Sequence, residues 1–178
     1  MNFRVQSSVP KNTKIYCKDD ERLSEAIETI FPMMTEEAFL VWNTIYIPLN
    51  YKYDVSYMIE DILSILKYLR KETKGEMKID WPSNTFACEW FLTWDEKMLR
   101  IKAEWRSVLG HTEELLNKSN ELNIEKELFM NEWKKLLEVL LENLRQCGYS
   151  VKNLIGMDRL IEEYSFIKNY GMLYEKIK

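Results

Sequence analysis

His111 is the only histidine in this chain of 178 residues, so the side chain most often used as general base or metal ligand occurs once. A His-pair metal motif is excluded, and any Ser–His or Cys–His device would depend on this one imidazole. It follows Gly110 in a stretch that reads as a turn, with no nucleophile elbow beside it, and is expected to be an exposed loop histidine. Cys17, Cys88 and Cys147 are odd in number and lack CxxC spacing, the pattern of reduced, mostly buried thiols. The carboxylates Glu125, Glu127, Glu132, Glu138, Glu142, Asp158, Glu162 and Glu163 are spread over helical stretches. They alternate there with Lys126, Lys134, Lys135 and Arg145, as solvated helix faces do. GxGxxG, GxxxxGK[ST] and EF-hand patterns are absent from the sequence, so no cofactor is expected and no reaction is specified.

The aromatic residues are more distinctive. The sequence has 6 Trp and 10 Tyr. Base stacking by such residues normally accompanies a basic groove, whereas the net charge is −4, so nucleic acid is not an expected partner. Trp90, Trp105 and Trp133 fall on apolar faces and are expected in the core. Trp81 and Trp94 stand at strand ends, where partial exposure would suit an interface anchor. Tyr51 and Tyr53 belong to a tyrosine cluster with Tyr46 and Tyr57, which either closes the core or presents an amphipathic contact surface. With the acidic pair Asp95 and Glu96, the residues Trp81, Trp94, Tyr51 and Tyr53 are the candidate partner-binding set.

The elements that must position these residues follow from hydrophobic spacing. Leu23, Ala26, Ile27 and Ile30 predict a helix over 22–31, ended by Pro32. The β-branched and aromatic run 38–49 predicts two strands around Asn43 and Thr44, with Pro48 ending the pairing. Asp54 is the expected cap of a helix reaching Lys71, striped by Val55, Met58, Ile59, Ile62, Leu63, Leu66 and Leu69 and stopped by Gly75. Residues 14–17 could form an edge strand, and 77–81 a short strand.

Strict alternation marks strands at 85–93 and 98–107, joined by residues 94–97. The expected register sets Leu92 opposite Leu99, Trp90 opposite Ile101, Cys88 opposite Ala103, Phe86 opposite Trp105 and Glu89 opposite Lys102. A short helix is expected over 112–117. A long one follows from Ile124 to Cys147, capped by Asn123 and ended by Gly148. A last helix spans 157–168, and the tail 170–178 is expected to dock through Met172, Leu173 and Tyr174.

This pattern predicts a single α+β domain over 1–178: a small antiparallel sheet with a central Trp-rich hairpin, packed against several amphipathic helices. The N-terminal residues show no apolar signal region and no run reaches membrane-spanning length, so a cytoplasmic location is expected.

Three segments resemble a known group. FLVWNTIYIPLNYKYD (39–54), WPSNTFACEWFLTWDEKMLRIKAEWRSVLG (81–110) and FMNEWKKLLEVLLENLRQCGY (129–149) resemble small bacterial proteins encoded beside polymorphic toxins of the Rhs and contact-dependent inhibition types. The three segments cover over a third of the chain, and no catalytic motif carries over residue by residue. The resemblance implies a cytoplasmic, acidic, non-enzymatic immunity protein that binds one cognate protein toxin and blocks its active site or substrate access. The alternative is a general interaction or structural module, including a homodimer formed through an exposed sheet edge. An enzyme of unrecognised type built on His111 is the remaining reading.

Overall fold

Alternating and 3–4-spaced apolar residues divide the chain into seven strands and five helices over the residues described by the computed structural model, 2–167. In chain order these are β1 (Phe3–Gln6), α1 (Leu23–Ile30), β2 (Ala38–Trp42), β3 (Ile45–Leu49), a π-helical turn (Tyr51–Val55) and α2 (Ser56–Lys71). Then come β4 (Gly75–Pro82), β5 (Phe86–Trp94), β6 (Met98–Val108), α3 (Glu113–Lys118), β7 (Glu121–Glu125), α4 (Lys126–Gln146) and α5 (Met157–Phe166). The strands form two antiparallel sheets, ordered β1-β2-β3 and β4-β5-β6-β7. The fold is α+β, and the β5–β6 hairpin occupies the centre of the larger sheet. The docking expected for the tail concerns residues outside those described.

The two sheets meet through their aromatic faces. Trp42 of β2 lies 5.4 Å from Trp90 of β5 and 5.3 Å from Trp105 of β6, centroid to centroid. Phe3 of β1 stacks at 4.7 Å on Phe129 of α4, and Trp133 stands beside both. Offset and edge-to-face contacts of this kind add about 0.5–1.5 kcal/mol per pair beyond the area buried. The Trp90, Trp105 and Trp133 indole nitrogens are buried without a hydrogen-bond partner among the described residues.

α4 ends as expected at Gly148. With φ +95°, Gly148 donates to Arg145 O while Tyr149 donates to Leu144 O, the paired bonds of a Schellman turn.

Several boundaries differ from expectation, each for a local reason. Residues 14–17 are not a strand; the first strand is β1, recruited by pairing Phe3 with Trp42 and Val5 with Leu40. Pro48 does not end the β2–β3 ladder, which continues to Leu49 opposite Ala38, because β3 is an edge strand and needs no second N–H donor. Asn50, not Asp54, caps the turn into α2: its Oδ1 accepts from the Lys52 and Tyr53 amides. Gly75 opens β4, and α2 has already ended at Lys71. Asn123 and Ile124 belong to β7, so α4 begins only at Lys126.

The hairpin register is shifted by two residues from the expected one. Leu92 faces Ile101, Trp90 faces Ala103 and Cys88 faces Trp105, while a bulge at Ala87 and Cys88 sets Phe86 opposite Val108. Trp94 continues the strand opposite Leu99, and the turn is tied by the Asp95 Oδ1 atom, which accepts from the Lys97 and Met98 amides. A two-residue shift keeps every side chain on its expected face. It does change the charge pairing: Glu89 stands opposite Glu104 rather than Lys102, and its cation is Lys78 of β4 at 2.8 Å.

Candidate partner-binding surface

Trp81 is 0% and Trp94 8% exposed, so neither offers an interface anchor. Remote polar groups draw both indoles inward. Trp81 Nε1 donates to Asp61 Oδ2 of α2 at 2.9 Å, and Trp94 Nε1 donates at 3.2 Å to Glu72 O just beyond the C-terminus of α2. Tyr51 is also fully buried, against Phe31 at 4.8 Å between centroids. Burial pushes its phenol up to about 12, partly offset by Ser8. Tyr53, two residues later, is 46% exposed, as are Tyr46 and Tyr57 in comparable measure. The tyrosine cluster therefore splits: one ring closes the core and three reach solvent.

Asp95 and Glu96 are exposed at the tip of the β5–β6 turn. The Asp95 carboxyl lies below the usual carboxylate range because the Met98 amide, then the Lys97 amide, donates to it. The turn is thereby fixed, and its next residue, Glu96, lines a cleft of about 670 Å³. Leu69, Met98, Met130 and Ile167 give this cleft apolar walls, and it is bordered by Arg70 and Lys126. Lys126 is 7% exposed and donates from Nζ to Glu72 O at 2.9 Å. Burial pulls its ammonium below the ordinary lysine range, and Asp95 and Glu96 oppose that shift. Arg70 is committed to Glu163, at 2.7 Å, and Glu162, at 2.8 Å, with its guanidinium 4.1 Å from the Phe166 ring centre.

Of the six residues singled out from the sequence, the structure brings Asp95, Glu96 and Trp94 to one end of the molecule. Tyr51 and Tyr53 sit on the turn before α2, and Trp81 lies deep against α2. Sequence reasoning missed Lys126, whose place beside the hairpin turn depends on β7 preceding α4. It also missed Phe91, which stands 42% exposed on the outer face of the larger sheet with Lys78 Nζ 4.9 Å from its ring centre. The available signal was an aromatic residue on the charged side of the alternation.

His111 is 94% exposed, with φ +53°. Its Nδ1 lies 4.0 Å from Glu113, whose carboxylate accepts from the Val108 amide. Among the described residues, no group of three or more His, Cys, Asp or Glu side chains could hold a metal ion. No helix among them is long and apolar enough to cross a membrane. No family model matches the chain, and neither the curated proteins nor the solved structures contain a match.

Proposed function

We propose that this protein binds another protein, and that its partner is the toxin domain implied by the segment resemblance, which it neutralises by blocking the active site or substrate access. The observation that carries this reading is the fixed acidic turn. The Asp95 carboxylate is spent on holding the backbone, which leaves Glu96 displayed over a cleft with apolar walls. A rigid charged protrusion beside apolar surface loses little conformational entropy when a partner docks. Negative charge at that position favours a partner with a basic site entrance and speeds encounter more than it tightens the final complex. The chain's net charge of −4 acts in the same direction.

The test is co-expression with the product of the neighbouring gene, followed by isolation of the complex and assay of that product as a toxin. The expected result is a 1:1 complex in which toxin activity is lost. Glu96→Lys is expected to slow association about tenfold at low salt, with circular dichroism used to establish that the variant is folded, since the new cation also faces Lys126. A toxin that remains fully active beside an excess of folded protein would overturn the proposal.

A further inference from the structure

Among the described residues the two sheets present four edge strands, and three of them are guarded. The Val5 amide of β1 is taken by Glu132 Oε2 at 3.1 Å. β3 carries Pro48, which has no N–H. At β7, the Asn43 side-chain amide donates to Ser119 O and Glu121 O at 2.9 and 3.0 Å. β4 is different. Its residues 76–80 pair with β5 on one side, and among the described residues no hydrogen bond from outside that ladder reaches their backbone.

The apolar seal also fails along this strand. Leu92 and Trp90 of β5 are closed off from solvent, yet their β4 neighbours Met77 and Ile79 are only half buried. α2, whose Asp61 bonds Trp81 of β4, exposes Tyr57 and Tyr68, one turn before and two turns after that residue. An open backbone edge with an incomplete apolar face is the form that accepts an added strand.

We propose that the occupant is a second copy of this chain, with the two β4 strands pairing antiparallel about a two-fold axis at Ile79. The strand's own charges select this partner. Along its solvent face β4 reads Glu76, Lys78, Asp80. In the Ile79-centred register Lys78 of each copy stands opposite Asp80 of the other, so two attractive pairs form. On the inner face Ile79 meets Ile79, and Met77 meets Trp81. Centring on Lys78 or on Asp80 would place like charges directly opposite, which is destabilising. Centring on Met77 opposes Glu76 and Lys78 but engages only residues 75–79. Lys78 and Asp80 are 57% and 49% exposed despite their contacts with Glu89 and Arg106, so both are accessible to a partner strand. The inference is independent of the toxin reading, because it uses a different strand edge and needs no second protein.

The experiment is sedimentation velocity on the full chain across a concentration series, with Lys78→Glu, Asp80→Lys and the double variant. The native chain is expected to reach twice the monomer mass. Each single variant replaces two attractive pairs by two repulsive ones and is expected to raise the dimer dissociation constant about tenfold. The double variant K78E/D80K restores opposite charges in this register and should recover dimerisation, even though it disrupts both intrachain ion pairs. Circular dichroism melts establish that each variant is folded. Hydrogen exchange on the native chain supplies a readout without mutation: those amides of 76–81 that point away from β5 should gain protection as concentration rises. A native chain that stays monomeric throughout, exchange at β4 that ignores concentration, or a double variant no better than the singles would overturn the proposal. Rescue of K78E by Glu76→Lys instead of D80K would overturn the Ile79-centred register.

Discussion

Gly75 is packed against the indole of Trp94 so closely that a Cβ at that position would stand 2.3 Å from Cζ2. The ring cannot readily move, because its Nε1 is bonded to Glu72 O and its strand pairs Trp94 with Leu99. The first residue of β4 and the last residue of β5 thus form one packing unit. Gly75→Ala is expected to lower stability by about 1–3 kcal/mol, the usual cost of forcing extra volume into a filled site. Urea unfolding should show a lower midpoint, with a shift in Trp fluorescence at the native baseline. An unchanged midpoint would mean that the Trp94 ring is free to give way.

Asp54 is 1% exposed and gathers three donors: the Asn50 amide and Ser83 Oγ at 2.9 Å, and Thr85 Oγ1 at 2.5 Å. It ties the start of α2 to the turn between β4 and β5, two segments that otherwise share little backbone bonding. Asp54→Ala leaves those donors without an acceptor and is expected to cost roughly 3 kcal/mol. Asp54→Asn should cost less, because its carbonyl can still serve the two hydroxyls while its NH2 faces the Asn50 amide. The order Ala below Asn below native, measured by denaturant melts, checks the account.

Burial raises the Asp61 carboxyl above its ordinary range, and the Trp81 N–H offsets this only in part. The folded chain therefore holds the Asp61 proton more tightly than the unfolded chain. Its contribution to stability is complete below the unfolded aspartate pKa of about 3.9 and is lost as pH rises through the folded value. At neutral pH the ionised carboxylate is a net burden. Asp61→Asn keeps an oxygen for Trp81 Nε1 without the charge. It should raise stability at pH 7 by under about 1 kcal/mol, the scale that solvent leaves to a half-exposed group. The difference should disappear at pH 3. A variant less stable than native at pH 7 would show that the charge strengthens the Trp81 bond by more than its desolvation costs.

α2 and the body of α4 were legible in the sequence because their apolar residues recur over several turns, so a boundary error changes little. β1 and β7 were not. Each offers only two inward residues, Phe3 and Val5 or Leu122 and Ile124, and becomes a strand because a longer neighbour recruits it. The hairpin faces were readable from alternation, whereas its register was not, because a two-residue slip preserves parity. What separated the right register from the wrong one was the Asp95 turn, and there the carboxylate bonds a backbone that no hydropathy pattern describes. The candidate site divides in the same way. Glu96 was visible as an exposed acid in a turn. The burial of Trp81 and Trp94 depends on Asp61 of α2 and on Glu72 O just past its end, each about twenty residues away in sequence.

Asn43 and Thr44 form the two-residue turn between β2 and β3, with φ of +45° and +73°. Positive φ at both central positions is the type I′ geometry whose right-handed twist suits a hairpin, and its favoured sequence is Asn-Gly. Asn43 suits its place, since its Nδ2 bonds Ser119 O and Glu121 O and its amide donates to Asn2 O. Thr44 does not suit its place. It is exposed, and its β-branched side chain is held in the left-handed region at a cost of about 1–2 kcal/mol. Glycine removes that strain but gives back about 0.5–1 kcal/mol in unfolded-chain entropy. Thr44→Gly is therefore expected to stabilise the protein by about 0.5–1 kcal/mol, read as a higher urea midpoint with an unchanged slope. Asn43→Gly relieves the same backbone but deletes the two amide bonds to Ser119 O and to Glu121 O at the start of β7, so it should lower the midpoint. If both glycine variants raise the midpoint, the turn's stability is set by φ alone and the Asn43 bonds contribute nothing; a fall for Thr44→Gly would overturn the strain account.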